Sequence, residues 1–201
     1  MDELTLLQAV RLKGRVRPAA LATTLDEDEA TVNSAVQQLT EAGLLAAGST
    51  IRLSPAGRAR LTELLAVEWR NTDGDAIVRS YAEFRRVNRD FKSLVSAWQL
   101  KNGEPNDHTD ADHDAAVLSR LNDVHRAVLP ILTVVAGQLP RLDAYTAKLS
   151  AALNRIQAGD TSWFTRPLVD SFHTVWFELH EELIGAAGLT RAEEASAGLD
   201  E

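Results

Sequence analysis

Apolar residues at helical spacing open the chain. Leu4, Leu7 and Val10 share one helix face and Gly14 follows as a stop, which predicts a first helix over 3–14. "RVRP" (Arg15 to Pro18) reads as a brief strand, with Pro18 preset for the first position of a second helix, "PAALATTL". Four carboxylates, Asp26 to Glu29, precede a third helix whose stripe is Val32, Val36 and Leu39 and whose end is Gly43. Leu44 and Leu45 lead into a strand, "GST" turns, "IRLS" returns, and another helix starts at Pro55.

The pattern changes after Asp73-Gly74. Ile77, Tyr81, Phe84, Asn88, Phe91, Val95 and Trp98 alternate in steps of four and three, the seam of a packed helix over about 75–100. "NGEPNDHTDADHD" (Asn102 to Asp114) reads as a polar loop. A second helix over about 112–138 has Val117, Leu121, Val124, Val128, Ile131 and Val135 as its seam and Pro130 as an expected kink. A third starts at Leu139-Pro140, with Leu142, Tyr145, Leu149, Leu153 and Ile156 inward, and ends at Gly159. The fourth is expected from Pro167 to about Ala187, with Leu168, Phe172, Val175, Leu179 and Leu183 at core spacing. Short connections among four such helices predict an antiparallel four-helix bundle. The expected organisation is therefore mostly α: a domain over 1–70 carrying a small β-wing, a bundle over 74–190 and a polar tail over 191–201.

Helix, strand, helix, helix, strand, turn, strand, helix is the order of a winged helix-turn-helix. Over roughly residues 3 to 67 the chain resembles winged-helix regulators of the MarR type, through "TVNSAVQQLTEAGLL" and "IRLSPAGRARLTELL". The resemblance implies DNA binding, with the third helix in the major groove and the wing beside a phosphate backbone.

Charge narrows where such binding can occur. The net charge is −8; residues 1–66 carry seven basic and eight acidic side chains, and the remainder carries fourteen and twenty-one. Phosphate neutralisation needs Lys and Arg, so nucleic-acid contact is expected from the first part. From Pro18 to Ile51 there is no Lys or Arg, while Asp26, Glu27, Asp28, Glu29 and Glu41 are present. On the third helix Thr31, Asn33, Ser34, Gln37 and Gln38 are the outward polar residues, and Asn and Gln can pair with adenine. Phosphate anchoring falls to Arg11, Lys13, Arg15, Arg17 and Arg52, with 15–17 and 52 adjacent if the two short strands pair. The carboxylates are expected as helix caps.

Candidate chemistry in the bundle is sparser. The chain has no cysteine, so disulfides and thiolate ligands are excluded. His173 and His180 stand seven residues apart, about 10 Å along a helix, too far to share a metal ion. Asp170 and His173, joined by His125, form the one arrangement able to chelate. "VNRDFKSLVSAWQLKNGEP" and "RIQAGD" resemble FCD-type ligand-binding domains, which use an Asp and His set. Lys92 stands where that resemblance expects a histidine, so no metal is expected. Tyr81, Asn88, Trp98, His125, His173, Trp176 and His180, with Phe172 and Phe177, supply either a small-molecule pocket or an aromatic core. His108 and His113 lie in an acidic run that lacks the Gly and final Glu of a calcium loop. Arg79, Arg85, Arg86, Arg89 and Lys92 form a basic stripe, read as a solvated face paired with Glu83 and Asp90 or as a contact for an acidic partner or DNA. No phosphate-cradling loop, dinucleotide fingerprint or metalloprotease motif is present, and neither an enzyme nor a cofactor is expected.

These features predict a transcriptional regulator that binds double-stranded DNA as a homodimer and senses a small-molecule effector through its bundle. With an acidic N-terminus and no long apolar run, it is expected in the cytoplasm and not in a membrane. The alternative is a non-catalytic accessory module whose acidic winged helix docks a protein. "RPLVDSFHTVWFELHEELIG" resembles proteins associated with phosphoenolpyruvate-utilising enzymes, the partner class this alternative implies.

Overall fold

Side-chain caps set most helix starts in this chain. Asp2, Asp28, Ser54, Asp73, Asp110 and Ser171 each stand one residue ahead of a helix and accept a hydrogen bond from a backbone N–H of its first turn. Each such cap stabilises its helix by about 1 kcal/mol relative to alanine. The computed structural model describes residues 1–189; the expected polar tail, 191–201, lies outside the described residues. The chain divides into two units, Met1–Thr72 and Asp73–Glu201, and the described residues are mostly helical in both.

The first unit contains α1 (Glu3–Lys13), α2 (Pro18–Leu25), α3 (Glu29–Glu41), β1 (Leu45–Ala46), β2 (Arg52–Leu53) and α4 (Pro55–Arg70). Asp26, in the left-handed region at φ 53°, closes α2, so this carboxylate marks a helix end and Asp28 alone caps α3. β1 and β2 pair antiparallel in the register Leu45↔Leu53 and Ala46↔Arg52. Val16 extends the ribbon through two backbone hydrogen bonds with Ile51, of 3.1 and 2.8 Å. Leu6, Leu7, Val10, Leu21, Val32 and Leu61 form the core with Val16, Leu45, Ile51 and Leu53.

The second unit contains α5 (Gly74–Gln99), β3 (Leu100–Lys101), β4 (Glu104–Pro105), α6 (Ala111–Gln138), a 3-10 turn (Pro140–Asp143), α7 (Ala144–Gln157), a second 3-10 turn (Thr161–Trp163) and α8 (Phe172–Ala186). Helix α5 packs on α6, α6 on α7, α7 on α8 and α8 on α5, around one hydrophobic core. Helix α8 is buried on most of its circumference, with Phe172, Val175, Trp176, Leu179, Leu183 and Ile184 inward alongside Glu178, His180 and Glu182. Pro130 lies within α6 at an exposed position and does not end the helix.

Three sequence expectations are corrected. The loop after α5 holds a β-hairpin, whose turn residues Asn102 and Gly103 both have positive φ (55° and 84°), the conformation an Asn-Gly pair adopts at low cost. Leu94 rather than Val95 is the fully buried residue on the last turns of α5. Helix α8 starts at Phe172, five residues after Pro167, and Leu168 is 96% exposed at φ 66°, not in the core. Phe164 and Phe172 are both fully buried, and His173 donates its backbone N–H to the Phe164 carbonyl at 3.0 Å. Between those anchors Arg166, Pro167 and Leu168 loop outward, and Ser171 returns to the interior. No helix among the described residues is long and apolar enough to cross a membrane.

The junction of strand and helix in the first unit has no space for a side chain at Gly57: a Cβ there would stand 2.0 Å from the Leu44 carbonyl oxygen. That oxygen also accepts the Ser54 N–H at 3.0 Å, so it cannot retreat without breaking the start of α4. Gly57→Ala is expected to destabilise the first unit by about 2 kcal/mol or more. Gly48→Ala, in open space, should leave it unchanged within about 0.5 kcal/mol. Urea unfolding followed by circular dichroism measures both.

Candidate nucleic-acid interface and the polar core of the helical unit

The Val16↔Ile51 bridge decides which way the arginines of the first unit point. Both bridge residues are buried, so alternation along the extended segments turns their neighbours outward. Antiparallel register places Arg15 opposite Arg52, with Arg17 on the same outer face, and all three are exposed. None of the three forms an ion pair within the described residues. Arg11 and Lys13 lie on the last turn of α1, and the Arg11 Nε donates to the buried Gln8 side chain at 2.9 Å.

All five candidate base readers on α3 are exposed, but they are not equally available. The Asp28 carboxylate accepts from the Thr31 hydroxyl, from Thr31 N at 3.1 Å and from Ala30 N at 2.8 Å, which holds its pKa below the usual carboxylate value. Thr31 is thereby committed to the cap. Gln37 donates to Glu41 at 2.9 Å, one turn along the helix. The side chains of Asn33, Ser34 and Gln38 form no hydrogen bond within the described residues, leaving their donors and acceptors open.

In the helical unit the seven candidate pocket residues do not converge. Asn88 accepts from the Trp176 indole N–H at 2.8 Å, and Trp176 stacks on Phe84 at 5.1 Å between ring centroids. Tyr81 Oη lies 3.3 Å from His180 Nε2. Trp98 packs between His108 (4.4 Å) and Phe164 (5.2 Å). Ser150 donates its hydroxyl proton to the Thr146 carbonyl at 2.8 Å, so His125, 3.1 Å away, must be the donor to Ser150 through Nε2. His173 lays its ring face against Phe91 at 6.0 Å and keeps its other edge in solvent. These pairings are those of a satisfied core. Among the described residues no group of three His, Asp or Glu side chains is placed to hold a metal ion, so Asp170, His173 and His125 do not form one.

One polar feature had no counterpart in the sequence reading. Arg141, in the first 3-10 turn, pairs with Glu182 of α8 at 2.7 Å, and both side chains are at least nine-tenths buried. A helix apolar on nearly every face leaves its few charges no solvent-facing side, and that was the available signal. The acidic run of the hairpin loop is occupied as well. Asp110 takes Lys101 Nζ at 2.7 Å and His113 N at 3.0 Å, while Asp107 takes Thr109 N and Oγ1; hydrogen bonding by Lys101 and by Thr109 respectively holds these carboxyls below their usual pKa.

No protein-family model, curated protein or solved structure matches this chain.

Trp176→Phe strands the buried Asn88 oxygen and is expected to destabilise the helical unit by about 1–3 kcal/mol, whereas adding Asn88→Leu should recover part of that loss. A double-mutant cycle in urea gives the coupling. Burial also lowers the pKa of His125 and His173 below the unfolded value of 6.5. Below that pH the unfolded chain binds protons that the folded chain refuses, so stability falls as pH drops from about 7 toward 5. Replacing both residues by Gln should flatten the profile across that window.

Proposed function

We propose that this chain is a DNA-binding transcriptional regulator. In this reading the first unit is a winged helix-turn-helix of the MarR type, with β1 and β2 as its small wing. The helical unit is an antiparallel four-helix bundle that dimerises or senses a small-molecule effector. The observation that carries the reading is the common outer face of Arg15, Arg17 and Arg52, without an ion pair among the described residues and built by the Val16↔Ile51 bridge. Three guanidiniums fixed on one ribbon suit the phosphate backbone, whose oxygens they meet in bidentate geometry. Helix α3 would lie in the major groove, where Asn33 and Gln38 present the amide groups that pair with adenine and Ser34 can pair with more than one base.

The interface is sparing in charge. Three phosphate contacts give a salt slope of only about −3, so one copy binds weakly and a homodimer on two half-sites is the economical form. The same soluble regulator would work in the cytoplasm, with the Asn88–Trp176 and Tyr81–His180 pairs as the groups an effector would have to displace.

A second reading is supported by a different observation. Asp26 at the end of α2, Glu27 after it and Glu29 at the start of α3 remain exposed, and no basic residue offsets them between Pro18 and Ile51. Those carboxylates repel phosphate and suit a basic protein surface, as in a non-catalytic accessory module docked on a partner enzyme, including one that uses phosphoenolpyruvate.

Fluorescence polarisation at 50 mM salt with the DNA upstream of the gene and with random duplex separates the two. DNA binding that falls at least tenfold in Arg15→Glu/Arg52→Glu, together with loss of sequence preference in Asn33→Ala/Gln38→Ala, supports the regulator. Absence of binding to either duplex, alongside a stoichiometric protein partner retained by the Arg15→Glu/Arg52→Glu variant, selects the accessory module.

A further inference from the structure

Helix α5 carries five basic and three acidic side chains within a unit whose overall balance is acidic. Arg79, Arg86 and Arg89 fall within roughly 80° of one another around the helix, opposite the buried Tyr81, Phe84, Asn88 and Phe91. All three are exposed. Glu83 lies four residues after Arg79 and Asp90 four after Arg86, the spacing at which intrahelical ion pairs close. Neither pair closes: among the described residues the side chains of Arg79, Arg86 and Arg89 make no ion pair and no hydrogen bond. Arg86 and Arg89, at i and i+3, repel each other and weaken the helix they stand on. A solvated face would gain from closing those pairs, and this one leaves its cations open.

We propose that this arginine stripe is a second contact for the phosphate backbone of duplex nucleic acid. The proposal rests on the DNA-binding reading given above and adds to it a surface in the other unit. The stripe runs about 15 Å along α5, the length of four to five base pairs. Glu83 and Asp90 stand on the same exposed face, Ala82, Ser93 and Ser96 fill the rest of it, and Val78 is its one large apolar residue, at its start. Protein interfaces centre on buried aromatic or aliphatic anchors, and this face has none; it offers charge, which a polyanion recognises without an anchor. Arginine forks also match phosphate oxygens better than lysine ammonium groups do.

The test is the salt dependence of binding of the full-length chain to a 30-base-pair random duplex, wild type against Arg79→Gln/Arg86→Gln/Arg89→Gln. Glutamine keeps the helix propensity, and circular dichroism verifies the fold. If all three arginines touch phosphates, the slope of log affinity against log salt becomes shallower by about 2.7, and the affinity ratio between 50 and 200 mM salt shrinks about 40-fold. Wild-type binding that weakens in Arg15→Glu/Arg52→Glu while the stripe variant keeps the wild-type slope overturns the stripe and leaves the regulator standing. Absence of duplex binding by the wild type overturns both. An unchanged slope with polyglutamate binding that the stripe variant loses assigns the surface to an acidic protein segment and overturns the proposal.

Discussion

Two backbone hydrogen bonds between Val16 and Ile51 organise the first unit. They tie the segment after α1 to the returning strand of the ribbon, and Val16 and Ile51 join Leu6, Leu7 and Val10 in one core. The same bonds determine the surface. Because both residues point inward, Arg15, Arg17 and Arg52 must point outward together. Without the bridge these three cations would sit on two segments with no fixed relation. Packing and candidate chemistry in this unit therefore share one origin, the period of two along paired extended chain.

In the helical unit the governing constraint is satisfaction of polar groups in a largely apolar interior. Helix α8 is enclosed on most sides, so every polar atom it brings inward needs a partner already in place. Trp176 finds Asn88, His180 lies beside Tyr81, and Glu182 finds Arg141. Neutralising both members of a buried pair together is tolerated better than removing one, which makes these contacts specific to one packing. Surface groups follow the opposite rule. Arg79, Arg86 and Arg89 leave the nearby Glu83 and Asp90 unused among the described residues, and this cationic face is kept open at some expense of helix stability.

Much of the architecture was legible from residue pattern. Caps and stops announced themselves: Pro18, Ser54-Pro55, Asp73-Gly74, Gly43 and Gly159 all stand at helix boundaries. The misreadings are local and have physical causes. Leu168 has the right spacing for the α8 seam, yet Phe164 and Phe172 both take core positions and the short chain between them turns outward at Arg166, Pro167 and Leu168. The Asn102-Gly103 turn signal was present, but the flanking strands are two residues long and carry no alternation to read. The acidic run suggests Asp26 as a cap of α3, while its left-handed backbone ends α2.

For the candidate sites, residue order alone shows which side chains could act: where the cations lie, that the third helix has none, and that its outward face carries amides. Periodicity of 3.6 and 2 maps directly onto faces. Which of those residues remain available depends on packing in three dimensions. Thr31 is held by Asp28 and Gln37 by Glu41, while Asn33, Ser34 and Gln38 stay open; Asn88 and Tyr81 meet residues about ninety to a hundred positions away. Hydrogen-bond partners are chosen by distance in space, and a sequence states only distance along the chain.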